Sequence, residues 1–294
     1  MKSISELNAI NAADPIGVFD ALLSAVAPRG EHKFYRGGYI IWPHPRAAEA
    51  AAHRLLTIGN STSLWPDAAW SRVLAEKLTE AGLDVGLYHG AGKGNTSSQE
   101  LLRVVRDAPA IAPQMIVSLS GITDIGYIIN SKNYPFAHKY TRRVLDAIRA
   151  QGLSDEVSYG YPDPVTPGAA WLRNQRMSRV IAEDLGIVYK VFLQPVQGFG
   201  AYPMSVEEQA FFDTKSSVVL RAINKPYGVC VTEFYEEVRT LISEDPERHS
   251  HVIDITDAFA DLPGAYRDHR HQSETGVERL AERMFRHVFE TLVA

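Results

Sequence analysis

An aspartate and a histidine three positions apart, Asp268 and His271, stand in the run Tyr266-Arg267-Asp268-His269-Arg270-His271-Gln272-Ser273, just before a stretch of helical periodicity. At that spacing a carboxylate can accept the Nδ1 hydrogen of the imidazole, which leaves Nε2 free to take a proton from a hydroxyl. Ser61 is a hydroxyl in a suitable place. It follows a short apolar run, on the tight turn Gly59-Asn60-Ser61-Thr62-Ser63, where a serine is exposed and its own backbone N–H can serve an oxyanion. Taken alone, Ser61 reads better as a helix N-cap, a position that favours Ser and Thr. Together the three residue types are those of nucleophilic acyl transfer. The rival chemistry is a metal site, because Asp268, His269 and His271 are all ligand types. No second cluster of His, Cys or Asp supplies the remaining ligands, and His89 and His138 are scattered, so no metal and no cofactor is expected.

Three more segments follow apolar runs. Gly90-Ala91-Gly92-Lys93-Gly94-Asn95-Thr96 invites comparison with phosphate-binding loops. A dinucleotide fingerprint would need glycine where Asn95 stands, and a P-loop would need Ser or Thr directly after Lys93. Both fail, and what remains is a glycine turn able to offer backbone N–H groups to an anion. Ser120-Gly121-Ile122-Thr123-Asp124 is either a plain turn or a polar donor at the same sheet edge as Ser61. Gln194, in Leu193-Gln194-Pro195, either faces the pocket or ties down its loop.

The elements that must carry these residues alternate. Apolar runs of strand length lie at Leu55–Ile58, Val85–Tyr88, Met115–Leu119, Val188–Leu193 and Val252–Ile255. Between them come helical patterns: Trp70, Val73, Leu74, Leu78; then Leu101, Leu102, Val105; then Trp171, Met177, Val180, Ile181, Leu185. Ser97-x-x-Glu100 and Ser205-x-x-Glu208 match the capping box, and a last helix is expected after Ser273 with Val277, Leu280, Ala281, Met284, Val288 and Leu292 as its apolar stripe. Such alternation predicts an α/β fold, a three-layer α/β/α sandwich on a mostly parallel five-stranded central sheet. Sites in such sheets lie at the carboxyl ends of the strands, where the segments above fall. Residues 1–51 read as an extension, with a short apolar helix near Val18–Val26 and an aromatic stretch through Tyr35, Tyr39 and Trp42. Residues 52–294 read as one domain, with an insertion at about 125–167.

Composition excludes some functions. The 294 residues are 45% hydrophobic and 22% charged with a net charge of −5, so there is no basic footprint for nucleic acid. The one cysteine, Cys230, cannot form an internal disulfide, and the N-terminus carries Glu6 and Asp14 where an export signal would be cationic and then apolar. No stretch is long and apolar enough to span a bilayer. A cytoplasmic protein is expected, and a homo-oligomer is compatible with the sequence.

The four segments, in this order and each after a strand, resemble the SGNH/GDSL hydrolase family. Its first block, Gly-Asp-Ser, supplies the nucleophile and is matched by Gly59-Asn60-Ser61. Its second gives a glycine amide to the oxyanion hole, in the place of Gly94. Its third, Gly-x-Asn-Asp, is matched by Gly121-Ile122-Thr123-Asp124, and its Asp-x-x-His by Asp268-His269-Arg270-His271. The resemblance covers roughly residues 52–294 and implies a flavodoxin-like architecture. It also implies catalysis by Ser61, Asp268 and His271, with Ser61, Gly94 and Thr123 as oxyanion donors. Asn60 and Gln194, as polar residues that follow strands, are expected near the substrate. Two departures stand out. Asn60 replaces an aspartate, a mild change at a position with a structural hydrogen-bonding role. Thr123 replaces the asparagine donor, and loss of one such donor typically costs ~2.7–4 kcal/mol in the transition state.

The implied reaction removes a small acyl group, acetyl foremost, from an alcohol such as a carbohydrate. An O-acyltransferase of cytoplasmic glycan synthesis could use the same triad, and a non-catalytic binding module would account for Thr123. Tyr127, Tyr134, Pro135, Tyr140, Tyr159, Tyr161 and Pro162 in the insertion are of a type that stacks on sugar rings, though most of them read better as packing residues.

Overall fold

The computed structural model describes residues 18–20, 24–26, 35–36, 38–63, 69–125, 150–152, 165–220 and 223–294. His138 and the aromatic and proline residues of the insertion lie outside them. Two short strands, β1 (Val18–Asp20) and β2 (Ser24–Val26), pair antiparallel where the sequence suggests a helix. Their valines and Phe19 are β-branched and aromatic types that suit extended backbone, and too few residues recur at helical spacing to outweigh that preference.

A seven-stranded sheet carries the rest. Strands β3 (Tyr35–Arg36), β4 (Tyr39–Trp42), β5 (His53–Gly59), β6 (Val85–His89), β7 (Met115–Ser120), β8 (Val188–Leu193) and β11 (Val252–Asp254) stand in the order β11-β8-β7-β5-β6-β4-β3. The five strands read from the sequence are mutually parallel. The edge is different: β4 pairs antiparallel with β6, and β3 with β4, so residues placed by the sequence in an extension continue the sheet. An uncovered β6 would leave a row of unpaired N–H and C=O groups, and the alternating Tyr39–Trp42 segment satisfies it.

Each central strand is buried on both faces. Leu55, Met115, Val117, Leu119 and Phe192 point to one side, against α2 (Trp70–Glu80) and α7 (Glu274–Val293). Leu56, Ile58, Ile116, Val191 and Leu193 point to the other, where α3 (Ser97–Ile111), α4 (Pro167–Asp184) and α6 (Tyr227–Glu244) pack. Helix α1 (Pro45–Ala50), helix α5 (Val206–Ser216) and a small ribbon of β9 (Val219–Leu220) and β10 (Lys225–Pro226) complete the chain. Among the described residues no helix is long and apolar enough to cross a membrane.

Two sequence expectations shift by local chemistry. The box that opens α3 is Thr96 with Gln99, one residue earlier than Ser97 with Glu100. Ser97 is engaged elsewhere, its N–H and hydroxyl both donating to Asp124, while Glu100 is buried against Ser118 and Gln175. Likewise α4 does not bury the apolar face its pattern suggests. Met177 is 43% and Val180 56% exposed, and the inner face presents Trp171, Asn174, Gln175 and Ser178. A polar network selects that face: Trp171 Nε1 donates to Ser120 Oγ at 3.0 Å and Asn174 Nδ2 to Ser97 Oγ at 2.9 Å.

Taken in chain order, the five parallel strands run 2-1-3-4-5 across the sheet. The strand order reverses between β5 and β7, and open α/β sheets bind ligands outside the carboxyl ends of the strands at such a switch point. Ser61 follows β5 and Thr123 follows β7.

Candidate active site

The turn that presents Ser61 depends on Gly59. Its φ of 152° suits glycine, and a Cβ there would lie 2.7 Å from both the Leu119 carbonyl oxygen and Ser63 Oγ. Chain that tight bends into the 3-10 turn Ser61–Ser63, held from both ends. Asn60 Oδ1 accepts from Thr62 N at 3.0 Å and Thr62 Oγ1 at 2.9 Å, and Trp70 Nε1 donates to Ser63 Oγ at 2.8 Å from the start of α2. Ser61 itself remains partly exposed at the sheet edge.

His271 arrives from the far end of the chain. The loop ahead of α7 closes on itself through Arg267 N donating to His271 O at 2.9 Å and Ser273 Oγ donating to Gly264 O at 2.7 Å. Glu208 fastens the loop to α5. Besides completing the Ser205 capping box, its carboxylate accepts from Gly264 N at 2.8 Å, from Tyr266 N at 2.9 Å and from the Tyr202 hydroxyl. The sequence marked Glu208 only as a cap, because nothing local shows the second set of donors.

Held this way, His271 Nε2 lies 2.9 Å from Ser61 Oγ, and His271 Nδ1 lies 2.7 Å from Asp268 Oδ2. A carboxylate accepts only, so Nδ1 carries the ring proton and Nε2 accepts from the serine hydroxyl. Asp268 Oδ1 accepts from the backbone N–H groups of Arg270 and His271, each at 2.9 Å. Partial burial raises the Asp268 pKa, but hydrogen bonds from the His271 ring and these two N–H groups win and hold it well below the usual carboxylate range. His269 stays out of this chain: its Nε2 accepts from Arg270 Nε at 2.8 Å. No cluster of His, Cys, Asp and Glu among the described residues is arranged to hold a metal ion.

The glycine turn after β6 is stitched to the end of β5. Gly90 N donates to Thr57 O at 2.7 Å, Gly92 N to Gly59 O at 3.1 Å, and Asn95 Nδ2 to Gly59 O at 3.3 Å. Asn95, 2% exposed, thereby couples the two loops, a role its sequence position did not disclose. Gly94 sits in this turn at φ 78°. Among the described residues neither its N–H nor that of Ser61 has an acceptor. Beneath, His89 is buried with Nδ1 near Thr57 Oγ1 (2.8 Å) and Ser71 Oγ (3.1 Å), and burial pushes its pKa down to about 3.

Thr123 is 3% exposed, and its hydroxyl has no hydrogen-bond partner among the described residues. The next residue is the anchor: Asp124 accepts from Ser97, and burial raises its pKa to about 7. Asn60 and Gln194, expected near the substrate, meet each other. They are 1% and 0% exposed, and Asn60 Nδ2 donates to Gln194 Oε1 at 2.8 Å. Gln194 is held further by its own N–H to Ser120 O and by Tyr235 hydroxyl to Gln194 O at 2.9 Å. Two buried amides that bind each other brace the turn below Ser61. A cavity of about 360 Å³ lined by Arg179, Tyr189, Lys190 and His251 lies at the opposite, amino ends of β8 and β11.

Neither a protein-family model nor a curated protein sequence matches this chain. Among solved structures it is similar to an acetyl xylan esterase, AlAXEase, with 14% identity and a TM-score of 0.48, over 80% of this chain and 99% of that one. A lipase/acylhydrolase from Enterococcus faecalis is similar at 14% identity and a TM-score of 0.43, over 81% and 96%. For a catalytic mutant of an acetylxylan esterase from Geobacillus stearothermophilus the values are 15% and 0.45, over 81% and 94%.

Proposed function

We propose that this protein is a serine esterase that removes a small acyl group, acetyl foremost, from an alcohol such as a carbohydrate. The observation that carries this reading is the unbroken chain from Ser61 Oγ to His271 Nε2 (2.9 Å) and from His271 Nδ1 to Asp268 Oδ2 (2.7 Å). The choice of acyl group and alcohol rests on the resemblance of the four segments to the SGNH/GDSL hydrolases.

The reaction proceeds in two halves. Ser61 Oγ attacks the ester carbonyl carbon as its proton passes to His271 Nε2, and the carbonyl oxygen takes up the negative charge. Asp268 holds the ring and stabilises its charged form. Collapse of the tetrahedral species breaks the C–O bond to the alcohol, which leaves with the proton from Nε2. Water then attacks the acyl-enzyme with the same histidine as base, releasing the carboxylic acid and restoring Ser61. The N–H groups of Ser61 and Gly94 are the natural oxyanion donors, since they have no other acceptor among the described residues.

Thr123 is assigned the third donor. Thr123→Val keeps the shape and removes the hydroxyl, and should lower kcat by ~10²–10³ with little effect on KM. Thr123→Asn should leave activity equal or higher. Steady-state kinetics beside melting temperatures decide the matter: an unchanged kcat with a lowered melting point would leave Thr123 a turn residue only.

The reading as a whole is tested with a fluorophosphonate, which labels activated serines. Mass spectrometry of the intact and digested protein should show one adduct, on the peptide containing Ser61, and none after His271→Ala. Labelling that ignores His271, or that falls on another serine, would remove the basis for an esterase built on Ser61.

A further inference from the structure

Helix α5 buries one residue, and that residue is a glutamate. Of Val206–Ser216 only Glu208 is buried, at 1% exposure, while Val206 is 90% and Phe211 37% exposed. Helices in proteins are ordinarily held by an apolar face, and glutamate goes inside only when its charge is paired or hydrogen-bonded. Glu208 meets that condition with donors from separate stretches of chain. Oε2 accepts from Ser205 N at 2.7 Å and Gly264 N at 2.8 Å, and Oε1 accepts from Tyr266 N at 2.9 Å and from the Tyr202 hydroxyl. Four donors fill the acceptor sites of a carboxylate and leave no place for a proton on either oxygen. The Tyr202 oxygen in turn accepts from Ala265 N at 3.2 Å. The backbone N–H groups of three consecutive residues, Gly264, Ala265 and Tyr266, are thus held by two side chains from outside their loop.

Those residues are the root of the loop that carries Asp268 and His271. Ser273 N donates to Ala265 O at 2.8 Å, Tyr266 forms an antiparallel bridge with Gln272, and Arg267 N donates to His271 O at 2.9 Å. Asp268 and His271 lie in the stretch that this ladder closes. The Tyr266 ring packs edge-to-face on Tyr202, with centroids 5.3 Å apart, and on Phe259 at 5.2 Å. A shift of the root is therefore carried to His271, whose Nε2 must stay 2.9 Å from a serine on a different loop. Misplacing a reacting group by about 1 Å can cost about 10²-fold in rate.

We propose that Glu208, with the Tyr202 hydroxyl, is a positioning residue for the reaction: it fixes the root of the loop at Gly264, Ala265 and Tyr266 and so keeps His271 aligned with Ser61. The proposal rests on the esterase reading and adds to the triad a group that touches no reacting atom. Glutamine cannot replace it, because it cannot serve all four donors. An NH₂ at the Oε2 position opposes Ser205 N and Gly264 N. At the Oε1 position it opposes Tyr266 N, and only the Tyr202 hydroxyl can turn to accept. Either way the loop loses at least one of its anchored N–H groups.

The test measures hydrolysis of para-nitrophenyl acetate and the rate of fluorophosphonate labelling, well below each melting temperature, for the wild type, Glu208→Gln and Tyr202→Phe. In Glu208→Gln, kcat should fall about 10–10²-fold with KM changed by less than about twofold, and labelling of Ser61 should slow by a similar factor. Tyr202→Phe leaves Ala265 N without its acceptor and should show the same pattern to a smaller extent. With His271→Ala already present there is no imidazole to align. Adding Glu208→Gln to it should then change the residual rate by less than about twofold, while lowering the melting temperature as it does with His271 present. A role in stability alone predicts the melting shift with no loss of kcat. Unchanged kcat and labelling in a folded Glu208→Gln protein, or a loss that persists in full without His271, would overturn the positioning role and leave the esterase reading standing. Should Glu208→Gln fail to fold, Tyr202→Phe decides by the same readouts. Hydrolysis that survives Ser61→Ala would overturn the esterase reading and the proposal with it.

Discussion

Ser61→Ala is expected to lower kcat on every ester substrate by about 10⁴–10⁶-fold, because members of a triad act as a unit and the loss of one removes the nucleophilic route entirely. What remains is catalysis by oxyanion donors and binding. The fold should be indifferent. Ser61 is partly exposed, its hydroxyl meets only the His271 ring among the described residues, and the turn is held by Asn60, Thr62, Ser63 and Trp70. A partly exposed serine removed from such a place changes stability by no more than ~0.5 kcal/mol. Rates on a chromogenic acetate ester, measured beside thermal melts, check both halves. An alanine variant with a near-normal rate and intact melting would sink the assignment of Ser61.

Asp268→Asn should be nearly as damaging, about 10⁴-fold in kcat, for a reason legible in the distances. Asp268 Oδ1 accepts two backbone N–H groups, from Arg270 and His271, each at 2.9 Å. An asparagine keeps those bonds only by placing its own Oδ1 there. Its NH₂ then occupies the position 2.7 Å from His271 Nδ1, now held by Asp268 Oδ2, and a donor faces what was a donor. The imidazole must move its proton to Nε2, where it can no longer accept from Ser61. The opposite orientation sets the amide NH₂ against two backbone N–H groups, which is worse. Melting temperature should change little while the rate collapses. A variant keeping more than about a tenth of the wild-type rate would show that the carboxylate does not set the tautomer.

Much of this was visible in one dimension, and the parts that were not share a physical cause. Strand and helix positions were legible because hydrophobic period is a local property: the apolar runs from Leu55, Val85, Met115, Val188 and Val252 all belong to strands of the sheet. Asp268 and His271 were legible as a pair because three residues of turn bring a carboxylate to Nδ1 without help from the rest of the chain. The faces of α4 were misread because Met177 and Val180 look like core residues until Ser97, Glu100 and Ser120 claim the inner side for Asn174, Gln175 and Trp171. Asn60 and Gln194 were placed near substrate because each is a polar residue after a strand. Only their burial and the 2.8 Å bond across 134 positions make them braces. An aspartate at position 60 would need Gln194 to turn its amide, since Oδ2 would face an acceptor; the Gln194 Nε2 donor has no other partner among the described residues.

By itself, then, the sequence determined the alternation of strands and helices, the order of the four segments and the local Asp–His geometry, since each depends on residues within a turn or two. The tertiary structure decided the rest: which serine meets His271 across 210 positions, how Glu208 and Asn95 fix the loops that carry them, and that β4 pairs with β6. Such contacts form only when separate strands come into register. They depend on burial and on which hydrogen-bonding groups are left without water, quantities that belong to the packed molecule and to no short stretch of it.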